Sequence, residues 1–411
     1  RLYYIDVKGM LSSLHGSAGA ITALQNSVAH YYQRASSADY LGVDPTRRSL
    51  TGTGGYVKVG RKGNAKWNFS ETFTWSSPGF DLNDMGYMKE TDYLMNETEI
   101  MYRQTDIWKI FRYNAFTLSQ KNMWNYGGTP FSNNASLRWQ SMTMNRYEWD
   151  VKETFAWNWL DSRLLRGGPD VRFGSYFLTS AKFNTDKAKR MMFMLKYEGD
   201  HNFEGNRFNT ISPSLTFRLG NHVYLSGQLD YAWNTDEMQY VATTSPLSSS
   251  SLAPYYYVMG HMDQKTYGLT LKLQVNVTPD ISIQFYGAPF TSIAKYDDFK
   301  LAADTKSHTF ENRFQRIDPD QLTYADGVYT IGEGAGQMPF RNPDFRFNEF
   351  RSNLVARWEY LPGSTLYFVW EHRMSNRDNW YSSGWGSNLD RMWGLPATNT
   401  FMIKMNYWFN L

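Results

Sequence analysis

The side chains best suited to chemistry are spread thinly along these 411 residues. Seven histidines stand at 15, 30, 201, 222, 261, 308 and 372 with no H-E-x-x-H or comparable ligand spacing. They read as surface or loop residues rather than metal ligands. Cysteine is absent, which removes thiolate zinc sites, iron–sulfur clusters and disulfide staples. No G-x-S-x-G elbow or phosphate loop occurs, and the glycines of TGTGGYVKVG at 51–60 enter a strand rather than a helix. The sequence therefore calls for no cofactor and names no catalytic residue. The acidic run DPDQLTYADG at 318–327 could wrap a calcium ion with its carboxylates and carbonyls, but it lacks EF-hand spacing and reads better as a solvated loop.

Two sets of residues suit binding. In WYSSGWGSNLDRMWG at 380–394, Trp380, Tyr381, Trp385 and Trp393 lie among Ser, Asn and Asp. Flat rings beside hydrogen-bonding groups can stack on sugar faces, though an aromatic girdle or loop packing is the commoner use of such rings. Asp230, Lys272, Gln274, Arg357, Glu359 and Lys404 fall on the polar side of alternating segments and are mixed in sign. A pore tuned to one ionic charge needs a field of one sign, so these residues point instead to hydration of a polar solute, to mutual pairing or to contact with a plug.

The elements that carry them have a period of two. In YGLTLKLQVNV at 267–277 the odd positions are Tyr267, Leu269, Leu271, Leu273, Val275 and Val277, and the even ones are small or polar. The pattern recurs at 401–411, 223–231 and 191–198. Strands of about 9 to 12 residues with one oily and one hydrated face match a tilted crossing of a bilayer. Short connections such as LPGS at 361–364, TPDI at 278–281 and LGNH at 219–222 alternate with long ones at 375–399, 297–346 and 236–265. Outer-membrane barrels segregate their loops in this way. The spacing of turns, including SLHGSAG at 13–19, 35–50 and a polar connection at 181–189, gives roughly 17 strands, uncertain by about two. The expected fold is thus all-β, an antiparallel transmembrane β-barrel of about 16 to 18 strands. An odd count would leave the ends on opposite sides of the membrane, so at least one further strand is expected before Arg1 and the 1–411 barrel domain is expected to be incomplete at its N-terminal side.

Composition agrees with this class. The 29 Tyr, 26 Phe and 15 Trp supply much of the apolar surface, and such rings suit an oil–water interface. A net charge of +3 gives no reason to expect nucleic acid as a partner. No linker or composition shift marks a domain boundary, and no apolar run of about 18 residues exists for a membrane helix. Two positions break the pattern. Glu71 in KWNFSETFTW and Glu153 in YEWDVKETFAWNW fall in the apolar register, where a bulge, a place near one interface or a protein partner would accommodate them. The string E-T-F-x-W that they share is too short to establish an internal repeat.

Several strings resemble an uncharacterised outer-membrane barrel family of Bacteroidota-type bacteria, whose members usually carry a carbohydrate-binding-like β-sandwich before the barrel. They are YYQRASSADYLGVDPTRRSLTGTGG at 31–55, SPGFDLNDMG at 77–86, LRGGP at 165–169 and NPDFRFNEFRSNLVARWEYLPGSTLYFVW at 342–370. The resemblance implies a C-terminal membrane barrel and supplies no catalytic residue; the sandwich has no counterpart here, so its glycan role does not transfer. The expected function is a passage or docking platform in the bacterial outer membrane. Its expected partners are membrane lipid and lipopolysaccharide, with oligosaccharides, surface lipoproteins or an outer-membrane protein complex as further candidates. The alternative is a membrane-embedded hydrolase of surface glycans or lipids, which needs two carboxylates about 5 to 9.5 Å apart or an activated nucleophile.

Overall fold

The computed structural model describes all residues except 1, 35–39, 84–85, 87, 158, 248–254, 379–384 and 410–411. Among these residues sixteen long strands follow one another along the chain. The first half comprises β1 (Tyr3–His15), β2 (Ser49–Arg61), β3 (Trp67–Ser76), β4 (Tyr93–Gln104), β5 (Phe111–Trp124), β6 (Pro130–Thr143), β7 (Glu148–Trp157) and β8 (Tyr176–Asn184). The second half comprises β9 (Met191–Asn202), β10 (Arg207–Leu219), β11 (Val223–Thr244), β12 (Tyr256–Asn276), β13 (Ile281–Ala302), β14 (Phe345–Leu361), β15 (Ser364–Asp378) and β16 (Thr398–Asn406). Each pairs antiparallel with the strand before and the strand after it, so the sheet is one continuous meander. Among the described residues β1 and β16 do not pair with each other, and each keeps one free edge.

Connections at one end of the sheet are uniformly short, from two residues at 362–363 to six at 105–110 and 185–190. At the other end they include 16–48, 77–92, 158–175, 303–344 and 379–397, although 125–129 and 203–206 are short there too. The expected segregation by length therefore holds in one direction: all the long connections share an end.

Alternation places the apolar residues on a single exposed face. One row of cross-strand neighbours runs Phe217, Leu225, Leu273, Phe285, Leu354, Trp370 and Phe401 through seven successive strands. Another runs Phe69, Ile100, Leu118 and Leu137 through β3 to β6. Leu225, Leu229, Leu118 and Leu137 are exposed, and Ile403 reaches 72 %. A leucine left in water forgoes roughly 1.5 to 3 kcal/mol of burial, and exposed apolar surface of this extent marks an interaction face. No described helix is long and apolar enough to cross a membrane.

Buried clusters gather at the long-loop end. There β11 to β13 run far past their neighbours, so much of the expected 236–265 loop is strand. Val258 and Met259 are consecutive, both fully buried, and belong to different clusters. Since successive side chains point to opposite faces, the extension is covered on both sides. Val258, Ala294 and Phe299 pack against Ile331 and Phe340 of a small three-stranded sheet, while Met238 and Met259 pack against Leu165, Val171 and Phe314. A third cluster joins Ile21, Tyr32, Leu41 and Leu50.

Several expectations are corrected. A strand between the 13–19 and 35–50 turns does not form; helix α1 (Ala18–Gln25) occupies part of that stretch, with the Ala20 amide donating to the Ser17 hydroxyl at 3.2 Å. Ser at the N-cap and a run containing Ala and Leu favour helix over strand. Among the described residues the long strands therefore number sixteen, at the lower end of the expected range. The polar 181–189 connection is also shorter than expected, because β8 continues to Asn184. The acidic 318–327 run is largely a β-hairpin, Leu322–Ala325 with Val328–Ile331, turning at Asp326 and Gly327 with φ of 50° and 80°. Asp-Gly supplies the left-handed conformations that such a two-residue turn requires.

Candidate functional site

The face opposite the apolar rows carries all six polar residues singled out from the sequence, because they occupy the other parity of their strands. Three groupings result. Lys272 and Gln274 line a groove with Tyr224, Tyr286 and Asn353. Arg357 donates to Glu359 at 2.5 Å and stands in one cross-strand row with Tyr367 and Lys404. Asp230 is apart from both, accepting from the Ser212 hydroxyl at 2.6 Å and from Gln228 at 2.9 Å. The charges are thus of mixed sign, with Arg357 and Glu359 paired to each other and Asp230 held by neutral donors.

The aromatic loop is described only in part. Trp380 and Tyr381 lie outside the described residues. Trp385 and Trp393 are the first and last residues of helix α2 (Trp385–Trp393). The Trp393 ring meets Phe350 edge-on at 4.9 Å and is still 56 % exposed, so part of its surface is taken by packing on β14.

A cavity of about 400 Å³ at the long-loop end is the larger feature. It forms where the 77–92 and 158–175 connections meet Arg34 of the first loop over β5 and β6, and its polar lining includes Arg34, Lys89, Glu90, Lys121, Asp161 and Arg163. Arg163 bridges to Glu90 at 3.3 Å, and Asp161 accepts the Arg163 and Leu164 amides at 2.7 and 3.0 Å. Both carboxylates are thus already engaged, an arrangement suited to recognition more than to proton transfer. Beneath them Asp92, 1 % exposed, accepts from Arg34 at 2.6 Å, from the Tyr40 hydroxyl at 2.7 Å and from the Tyr126 amide at 3.1 Å. Burial, reinforced by Asp92, holds the Tyr40 hydroxyl well above the ordinary tyrosine pKa. One carboxylate therefore ties three connections together. Arg313 does the same elsewhere, forking onto Glu204 at 2.7 and 2.9 Å while donating to the Ser307 and Arg172 carbonyls.

Glycine makes the loops' inward course possible. The backbone of Phe80 crosses Gly52, and its ring lies over Gly54, where a Cβ would come within 2.4 Å of the ring. The Asp81 amide donates to the Ser12 hydroxyl, on the polar face of β1. TGTGG at 51–55 is thus a strand surface shaved to admit the 77–92 connection.

Sequence spacing did not find Asp92, Arg34 or the cavity, since these partners are 58 positions apart and follow no periodic signal. Of the histidines, His30 is fully buried, contrary to the surface reading, with its Nε2 3.8 Å from Asp81. Among the described residues no group of three or more His, Asp or Glu could hold a metal ion.

Residues 16–411 match the family model described as Domain of unknown function (DUF5916). The chain belongs to this family. No curated protein matches it. The family match spans nearly the whole chain and names neither substrate nor address, so the functional reading rests on the geometry above.

Proposed function

We propose that the sixteen strands form the wall of an outer-membrane β-barrel that serves as a passage or docking platform for a polar solute or surface partner. The observation that carries this reading is the exposed apolar face, which runs from strand to strand while the opposite face carries polar groups and charges of both signs. Lipid, including lipopolysaccharide in the outer leaflet, is the solvent that such a face requires. Unpaired backbone groups in hydrocarbon cost several kcal/mol each, so in the membrane the free edges of β1 and β16 close on each other or on another segment.

The buried clusters at the long-loop end favour docking over free passage. Loops that fold into a packed cap cover a mouth, and the cavity there is lined by hydroxyls and charges of both signs, a chemistry suited to an oligosaccharide or to the polar surface of a lipoprotein. Reconstitution in planar bilayers tests the reading. The intact protein should insert and conduct little, and removal of 303–344 should raise conductance. Protein that stays monodisperse without detergent and never inserts would refute the membrane wall; large, steady conductance from the intact protein would refute the cap.

A further inference from the structure

The two carboxylates in the apolar register have lost two of their three explanations. Neither is at a bulge: pairing runs without a register shift through Glu71 opposite Thr98 and through Glu153 between Leu137 and Thr179. Neither is at an interface. Glu71 stands midway between Trp67 and Trp75, and Glu153 midway between Trp149 and Trp157, on the same face of strands that run in the same direction. Eight residues of strand span roughly 26 Å, and tilt reduces this to about the height of the apolar band, so tryptophans mark both borders and each glutamate falls at mid-depth.

The device is duplicated in full. Both strands read W-x-x-x-E-T-F-x-W, and each glutamate accepts one hydrogen bond from a threonine directly opposite on the next strand in the sheet, Thr98 at 2.5 Å and Thr179 at 2.7 Å. Among the described residues neither glutamate has another donor, although a carboxylate can accept about four hydrogen bonds. Beside Glu71 the surface is polar as well. Gln120 continues the row of Glu71 and Thr98, and Asn96, Asn122 and Asn133 form the adjoining row. Apolar rows flank this patch, with Trp75, Leu94 and Trp124 toward the long loops and Phe69, Ile100, Leu118 and Leu137 toward the short turns, and the second of these rows ends on Glu153, which thus stands beside Leu137 on one side and Thr179 on the other. From Glu71 to Glu153 is four strand spacings, roughly 19 Å.

We propose that the outer face of β3 to β7 docks a membrane-embedded protein presenting hydrogen-bond donors at mid-depth, with Glu71 and Glu153 as its two anchors. This rests on the membrane reading given above. Lipid tails offer no donors to either carboxylate. A two-fold contact with a second copy would bring the same acidic patch against itself, so complementarity selects a partner bearing Arg, Lys, Asn or Gln.

Photo-cross-linking in the native outer membrane tests the docking directly, with a benzophenone amino acid at position 120 and, as control, at position 229. Position 229 should yield lipid adducts. Position 120 should yield one protein species whose cross-linked peptide carries Arg, Lys, Asn or Gln. Combining Glu71→Leu with Glu153→Leu should reduce that adduct at least tenfold, which corresponds to about 1.4 kcal/mol, while leaving the lipid adduct at 229 intact as proof that the wall has formed. Lipid at position 120, a second copy of this chain there, or a protein adduct that survives the double substitution would overturn the docking proposal alone. Absence of lipid adducts at 229 would overturn the membrane reading and this proposal with it.

Discussion

Asp92 shows how much of the cap depends on single groups. Its backbone has a φ of 62°, a left-handed conformation that a non-glycine residue holds only where its surroundings fix it. Replacing it with alanine would break the buried ion pair with Arg34 and release the Tyr40 hydroxyl and the Tyr126 amide. Asp92→Ala should therefore destabilise the cap by about 3 to 5 kcal/mol, the usual cost of breaking a buried ion pair. Hydrogen exchange across the 16–48 loop should rise while the strands remain protected; unchanged protection in that loop would contradict the assignment. His30 provides a second residue-scale test. Burial lowers its pKa from the ordinary 6.5, and Asp81 only partly offsets this. The unfolded loop binds the proton more readily, so cap stability should be full above pH 6.5 and decline as pH falls below it. His30→Gln should flatten that dependence in a pH series of cap protection.

At the scale of elements, β2 and the 77–92 connection are fitted to each other through missing side chains. Gly54→Val would place two methyl groups where the Phe80 ring lies, and the ring cannot yield without lifting the connection from the polar face. The variant should keep its strands but expose Pro78 to Asp81 to protease, with a loss of about 1 to 3 kcal/mol typical of overpacking. The strands themselves were legible because alternation is a local signal repeated many times. Residues 20–25 suggest part of a strand because a short apolar run does not distinguish the two states; the Ser17 cap is the cue that separates them. The strand extension within 236–265 is hidden in the sequence because two-sided burial erases alternation, as Val258 and Met259 show.

For the whole molecule, the division between its two faces gives the most direct check. Leu229 points to the exposed apolar side and its neighbour Gln228 to the polar one. Leu229→Arg should weaken membrane insertion by about 2 to 4 kcal/mol, while Gln228→Arg should change it little. Equal effects in a folding assay with lipid vesicles would mean that the wall does not face lipid.

The order of residues alone determined the strand periodicity, the side on which Asp230, Lys272, Gln274, Arg357, Glu359 and Lys404 lie, and the oddity of Glu71 and Glu153. Each of these follows from neighbours two positions apart, and that relation survives any arrangement of the rest. Tertiary structure alone decided that the long connections pack into a cap with its own buried clusters, that Asp92 joins Arg34, Tyr40 and Tyr126, and that both glutamates meet a threonine at mid-strand. Those relations join segments tens of residues apart, and only the register of strand against strand brings them within hydrogen-bonding distance.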